Sequence, residues 1–424
     1  MKQYGLDYLR GKLAAKRERA ELRYKFYDMK NQMRKIQALI PPEFAALNYS
    51  LGWCAKAVDA VADRLVFDGF AHDDFYFDEI FRMNNPDVLF DSAVLSAAIS
   101  SCCFLHISYG DGDYPVIECI DGTNATGIID TATNLLTEGY AVLEIDTDSG
   151  LPLKEAYFLP DRTEYYVSGD LYDTVLHPAG APLLVPVIYR PDAKRPFGHS
   201  RISRACMDIV QTARRTLLRS EVGAEFYSVP QKYIVGISQK TEFDNKKASL
   251  SSFLKITNDG NADKPTLGQF EQQSMAPHME HMKMLASMFA GETGLTLDDL
   301  GFTTDNPASY DAIRASHESL RLTARKAQRS FGTGFFNAGY LAACLRDNES
   351  YERSVFRDVK PVWMPIFEPD AAALGAIGDA ILKINQAVPD YVGGNSIKAM
   401  TGIEPAGSDS TGPQSSGGAE NGSD

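Results

Sequence analysis

The stretch FGHSRISRACMDIVQTARRTLLRSEVGAEFYSVPQKYIVG (197–236) decides how this chain is read. A glycine-containing turn leads into a run with apolar side chains at Ile202, Cys206, Ile209, Ala213, Leu217 and Ala224. Spacing by threes and fours lays these on one helical face, so a helix is expected over 201–229. Pro230 closes it, because proline has no N–H to continue the hydrogen-bond ladder. KYIVGI (232–237) then reads as a short β run at the head of a polar segment, 231–275.

Upstream, residues 100–190 change character. CFLHIS, YPVIECI, YAVLEID, EAYFL, TEYYV and PLLVPVIY are short β-type runs separated by Gly, Asp and Pro turns. They predict an antiparallel β region flanked by helices. Ser92–Gly110 carries no Asp, Glu, Lys or Arg, but four serines precede His106. A membrane-spanning helix needs about 20 predominantly apolar residues, so this stretch reads as a small-residue helix running into a strand, and no membrane segment is expected. Trp53, Ala57, Val58, Val61 and Leu65 define a helix over Leu51–Leu65. Residues 4–37 form a polar helical stretch containing Leu6, Leu9, Leu13, Tyr24, Tyr27 and Met33, and Pro41-Pro42 ends it.

Downstream, a helix is expected near Pro277–Ala290, followed by the loop GETGLTLDDLGFTTDNP (291–307). Asn306-Pro307 suits an N-cap and first helical position. Ile313, Leu320, Ala324, Ala327, Phe331, Phe335, Ala338, Ala342 and Leu345 then recur at seam spacing. Such a helix would run to about 40 residues, roughly 60 Å, and needs neighbours along its length, from this chain or another subunit. KPVWMPIFEP (360–369) is a lone late β run that could pair only with a sheet already formed. Asp370–Met400 reads as a short helical cap. The tail from Pro405 to Asp424 is Gly/Ser-rich, without Lys, Arg or a large apolar residue, and is expected to be disordered.

The composition bounds the rest. At 424 residues the chain suggests two to four substructures, and 44% hydrophobic with 23% charged residues is the balance of a globular protein. Six cysteines, none in a C-x-x-C pair, read as reduced core residues. The N-terminal residues contain no signal-type apolar stretch. Residues 1–40 carry eleven Lys/Arg against four Asp/Glu, which leaves −21 on the remainder of a chain whose net charge is −14. A protein that grips DNA is normally basic; if this one meets DNA, it should not hold it tightly.

Catalytic motifs fail one by one. Gly11-Lys12 lacks the upstream glycine of a phosphate-binding loop. His278 and His281 are too few ligands for zinc. Ser252-Phe-Leu-Lys255 matches S-x-x-K without its companion motifs, and His72-Asp73-Asp74 reads as a solvated acidic turn. No catalytic residue, metal or cofactor is expected.

Two segments carry a resemblance: LGWCAKAVDAVADRLVFDGF (51–70) and the opening stretch, with its Phe-Gly-x-Ser-Arg-Ile lead-in to an Arg-rich helix. Their spacing to DDLGFTTDNPASYDAIRASHESL (298–320) and KPVWMPIFEPD (360–370) agrees too. In order and distance the chain, apart from its tail, resembles the portal proteins of siphophage-type tailed bacteriophages. The resemblance implies an α+β portal fold: a mixed α/β wing over 1–200, stem helices over 201–229 and 277–292, and a small α/β clip over 231–275. A tunnel loop follows over 298–309, then a long helix with a returning wing strand over 310–370 and a short crown over 371–404. It implies a homo-oligomeric ring, usually of twelve subunits, that serves as head–tail connector and DNA channel during packaging and ejection. The ring would sit at the capsid vertex of the virion after assembly in the host cytoplasm. Implied partners are the terminase large subunit, head-completion or adaptor proteins, the major capsid and scaffolding proteins, and double-stranded DNA passing through.

By position, the tunnel loop holds Asp298, Asp299, Gly301, Thr303, Thr304, Asp305 and Asn306. Its carboxylates would repel phosphate and keep DNA mobile, although a plain solvent-exposed connector fits the same residues. Arg314, Arg321, Arg325, Lys326 and Arg329 form a basic stripe, with 321, 325 and 329 on one helical side; it would face DNA or make ion pairs between subunits. Lys246 and Lys247 lie in the expected terminase-docking clip. Another head-morphogenesis or connector protein, or a hydrolase with an unrecognised site, remains an alternative.

Overall fold

The chain opens on α1 (Leu6–Tyr27), followed by α2 (Trp53–Ala62), strand β1 (Phe67–Ala71), α3 (Phe77–Arg82) and α4 (Pro86–Ser100). The computed structural model describes residues 3–32, 48–110, 112–228, 232–237, 253–257, 266–269, 274–302, 315–367 and 369–403. Eight strands come next: β2 (Cys102–Ser108), β3 (Val116–Ile120), β4 (Ala125–Ile129), β5 (Leu136–Ile145), β6 (Pro152–Phe158), β7 (Arg162–Val167), β8 (Asp170–Leu176) and β9 (Leu184–Ile188). Helix α5 (Arg204–Ser228) leads to β10 (Lys232–Ile237), β11 (Phe253–Thr257) and β12 (Thr266–Gln269), and α6 (Ala276–Thr293) returns. The long helix α7 (Glu318–Arg346), strand β13 (Lys360–Trp363) and helices α8 (Ala371–Ala387) and α9 (Gly394–Thr401) complete an α+β fold.

The antiparallel reading of residues 100–190 holds. β3-β2-β9 form one sheet and β4-β5-β6-β7-β8 a second, meandering one, with every pairing antiparallel. The small-residue helix is α4: Ala93, Ala97 and Ala98 are buried, and Ser101 (φ 94) turns the chain straight into β2. Within this region two strands were not legible. β8, DLYDTVL, is exposed along nearly its whole length and so lacks the alternation that marks a strand. β4 is short and carries Gly127, whose missing side chain admits the β5 backbone.

Three other expectations shift. The N-terminal helix stops at Tyr27, ten residues early, because Met29 adopts φ 59 and Asn31 N–H bonds back to Lys25 O at 3.0 Å; Met33 and Pro41-Pro42 lie outside the described residues. The run KPVW does not join an existing sheet. It pairs with Phe67–Ala71 in a separate two-stranded ribbon, Phe67 opposite Trp363. The buried stripe of α5 includes Val210 and Leu218 where Ile209 and Leu217 were expected, and the guanidinium-bearing Arg214 sits among them, 1% exposed.

The seam of α7 is the centre of the main core. Leu320, Ala324, Ala327, Phe331, Phe335, Ala338 and Ala342 are each 0% exposed. Phe335 meets Phe67, Phe90 and Trp363 with ring centroids 5.0, 4.6 and 5.9 Å away. Gly339 lets the ring of Phe77 lie against the helix, since a Cβ there would come within 2.6 Å of it. These neighbours all come from the same chain, so this part of the seam needs no second subunit. Ile313 lies outside the described residues.

The Ser-Arg-Ile lead-in fastens the helices together. Gly198 (φ 73) faces the Tyr189 carbonyl where no Cβ would fit, Arg201 N–H bonds Ala98 O at 2.8 Å, and Ile202 N–H bonds Ser200 Oγ at 3.0 Å. The buried Arg201 guanidinium donates to Ala57 O of α2 at 3.0 Å and to Thr293 O at the end of α6. Replacing Arg201 by Met keeps the length but removes a charge-assisted hydrogen bond from each of two buried carbonyls, which should cost about 2–3 kcal/mol. Scanning fluorimetry should show a lower unfolding temperature and hydrogen exchange a faster α5. Unchanged values for both would refute the clamp.

Candidate functional site

Helices α5 and α6 run antiparallel, and side chains fix their alignment at two levels. Ser203 Oγ donates to Glu292 Oε1 at 2.8 Å near one end, and Thr216 Oγ1 hydrogen-bonds His281 Nδ1 at 3.1 Å farther along. The other end carries the three strands β10–β12, reached within a few residues from each helix. β10 is central, parallel to β11 and antiparallel to β12. The result is a two-helix arm tipped by a small sheet. Lys246 and Lys247 lie outside the described residues. His281 is engaged with Thr216, and among the described residues no three His, Cys, Asp or Glu side chains gather as a metal site would need.

Where α6 ends, Gly294 (φ 70) caps the helix and a 3-10 turn, Asp298–Leu300, follows. Sequence reasoning treated Asp298 and Asp299 alike; the structure separates them. Asp298 is exposed. Asp299 turns back, accepting from Thr296 N–H and Thr296 Oγ1 at 2.9 Å each, and its Oδ2 lies 3.2 Å from His317 Nε2 at the start of α7. It is a tether between the turn and the long helix. Leu300 is buried beneath the turn, and Gly301 (φ 87) has open space on its Cβ side. Thr303, Thr304, Asp305 and Asn306 lie outside the described residues. Partial burial pushes the Asp299 carboxyl up, but the Thr296 hydrogen bonds and the His317 imidazole outweigh it and leave its pKa below the usual carboxylate value.

The basic stripe is divided as well. Arg321 is paired within its own helix, Nε and Nη2 each 2.7 Å from the Glu318 carboxylate. Arg325, Lys326 and Arg329 are exposed, and none has a carboxylate within 4.0 Å among the described residues. Arg325 and Arg329 border a groove that also holds Arg353, Arg357 and Trp363, residues the helical spacing could not connect. Arg314 lies outside the described residues. Five of the six cysteines are buried and all are free; Cys119 is half-buried. The acidic turn at His72–Asp74 is partly structural, since Asp73 Oδ2 accepts the Asp78 N–H at 2.9 Å and Asp78 in turn accepts from Phe70 N–H.

The Asp299 tether predicts a pH signature. A carboxyl whose folded pKa lies below 3.8 stabilises the fold above that value, and the contribution disappears as pH falls through the folded pKa. Wild type should therefore melt above Asp299→Asn at pH 7, with the gap closing as pH drops below about 4. A gap that stays constant from pH 7 to pH 3 would rule the tether out.

No model of a known protein family matches the chain. It is similar to the portal protein of Mycobacterium phage L5, 24% identical over 388 residues, 85% of this chain and 77% of that one. The portal protein of Mycobacterium phage D29 is 23% identical over 389 residues, with the same coverage of 85% and 77%. Among solved structures, a chain from the virion of a native gene transfer agent particle aligns over 91% of this chain and 99% of its own, at 13% identity and a TM-score of 0.46. A chain from the neck of the native particle, computed with C12 symmetry, aligns over 83% and 90%, at 13% identity and a TM-score of 0.44. Over 85% of its length, then, the chain is similar to the portal proteins of two mycobacteriophages.

Proposed function

We infer that this chain is a portal protein, the subunit of a ring that forms the DNA channel and head–tail connector of a phage particle. The similarity to two portal proteins over 85% of the chain carries the reading. Its role is structural: the chain binds partners and lets DNA pass, and the ATP-driven motor is a separate protein. Twelve copies close the ring at one vertex of the virion, assembled in the host cytoplasm. The acidic body, −21 outside residues 1–40, suits a channel that must not hold phosphate.

Each part has its place in this reading. Residues 1–200 with the returning strand β13 form the wing, α5 and α6 the stem, and β10–β12 with the segments between them the clip. The clip, with Lys246 and Lys247, docks the terminase large subunit and later the head-completion protein. The segment 298–309, with Asp298 exposed at its start, lines the channel's narrow point, and Arg325 and Arg329 face the neighbouring subunit. Helix α8 forms a crown; none of its 17 residues is buried, and Leu382 is 59% exposed. In one chain that apolar surface faces water, whereas in a ring it has neighbours to cover it. Capsid and scaffolding proteins surround the wing.

Negative-stain micrographs and native mass spectrometry at micromolar concentration should show one closed high-order ring. Monomers or dimers across salt conditions would overturn the reading. An in vitro packaging assay then reads the two surfaces separately. Deleting Gly301–Thr304 should leave rings intact but impair packaging or DNA retention. Lys246→Glu with Lys247→Glu should weaken terminase binding at unchanged assembly. Full packaging by the deletion variant, or unchanged terminase binding by the lysine variant, would withdraw the corresponding assignment.

A further inference from the structure

One surface concentrates positive charge on an acidic protein. The solvent-side face of α7, with Arg325, Arg329 and Phe336, forms one wall of a groove of about 800 Å³, and Trp363 with the turn bearing Arg353 and Arg357 forms the other. Among the described residues no Asp or Glu lines it. Arg353 is fixed in place: Nη1 donates to Thr133 O at 2.7 Å, and its guanidinium lies 5.4 Å from the centre of the Phe336 ring. Arg357 has only the exposed Asp358 nearby, at 3.4 Å. A second depression shares Arg329 and Thr333 and adds Arg190 and Lys326, extending the positive field past Asp192 and His199. An apolar floor rimmed by guanidiniums fits a segment that carries carboxylates and large apolar side chains side by side.

The same chain presents such a segment elsewhere. β8 is the terminal strand of the five-stranded sheet, with β7 as its sole strand partner among the described residues. Its exposed side chains include Asp170, Leu171 (57%), Tyr172 (76%), Asp173 and Leu176 (69%). Edge strands are usually guarded by Lys, Pro or a bulge; Asp170–Leu176 contains no Lys, Arg or Pro, and its register shift, which leaves Tyr172 between Leu171 and Asp173 without an opposite residue, sets that ring outward for a partner. The nearby Arg162 is occupied by Asp161 and Glu164, so the two aspartates on the strand keep their charge for a partner.

We propose that the arginine groove of one subunit receives the edge strand Asp170–Leu176 of a neighbouring copy. Two different patches on one chain, opposite in charge and both partly apolar, make a head-to-tail contact, the kind that closes into a ring when the rotation allows. The inference rests on the ring reading and names its contact. Arg325 and Arg329 face Asp170 and Asp173 across it, while Tyr172 and Leu171 lie over the Trp363 side.

Charge reversal tests the pairing. Arg325→Glu with Arg329→Glu, and separately Asp170→Arg with Asp173→Arg, should each raise the concentration for half-assembly at least tenfold. Combining all four substitutions in one chain should bring it back toward wild type. Benzophenone placed at position 172 in an otherwise wild-type chain should crosslink to α7 or the 353–363 region of another copy. Normal assembly by either one-sided reversal overturns the proposal. So does failure of the fourfold variant to recover when its circular dichroism and melting match wild type, or a crosslink to DNA, to another protein or to a different surface. A wild-type chain that stays monomeric fails differently, overturning the ring reading and this contact with it.

Discussion

Two buried guanidiniums set the frame of this molecule, and among the described residues neither is neutralised by a carboxylate. Arg201 donates to backbone carbonyls of α2 and of the last turn of α6. Arg214 donates to Asn31 O at 3.0 Å, to Asn48 Oδ1 at 2.7 Å and to Tyr49 O. A planar fork with five donors suits this task, because it satisfies several carbonyls that point from different elements. Burial without a counter-charge pushes the Arg214 pKa down, yet arginine stays protonated throughout the physiological range. The charge is thus retained as a fastener. Where α5 meets α2 and the segment around Asn31 and Tyr49, orientation is set by directed hydrogen bonds, and apolar packing by Cys206, Val210 and Ala213 fills the space around them.

That frame explains how one chain can combine a rigid body with an extended arm. The main core is dense with aromatic contacts around Phe67, Phe77, Phe335 and Phe356. The arm, by contrast, is two helices aligned by Ser203–Glu292 and Thr216–His281. Arg201 sits where α2, α5 and α6 converge, and Arg214 anchors α5 a second time, to Asn31, Asn48 and Tyr49. The tether from Asp299 to His317 then links the end of α6 to the start of α7, so arm, turn and long helix are mechanically continuous.

Much of this was legible in the sequence, and the failures have physical causes. Whereas α4 was read from a charge-free run of small residues, periodicity found α2, α5 and the α7 seam because each has a dominant buried face. It misplaced part of the α5 stripe because Arg214 behaves as a core residue there, and a hydropathy pattern counts arginine as surface. β1 went unseen since FDGFA contains Asp68 and Gly69, and its partner lies at the far end of the chain. The channel-loop reading took Asp299 as a free charge; only the fold reveals that Thr296 and His317 engage it. Arg353, Arg357 and Trp363 escaped notice for a similar reason, as nothing local connects them with Arg325 and Arg329.

The two-stranded ribbon of β1 and β13 has a consequence in time. Phe67 and Phe70 sit in the first strand, while Trp363, which covers Phe67 and pairs with it in register, arrives near the end of synthesis. At about 5–20 residues per second, a ribosome needs roughly 15–60 s to make the chain between them. Throughout that interval the Phe67 cluster lacks its lid, and α7, which supplies Phe335, is itself still incomplete. This core therefore cannot finish before nearly the whole chain has emerged. A nascent or truncated chain lacks a completed Phe67 core, so the topology itself acts as a check on length.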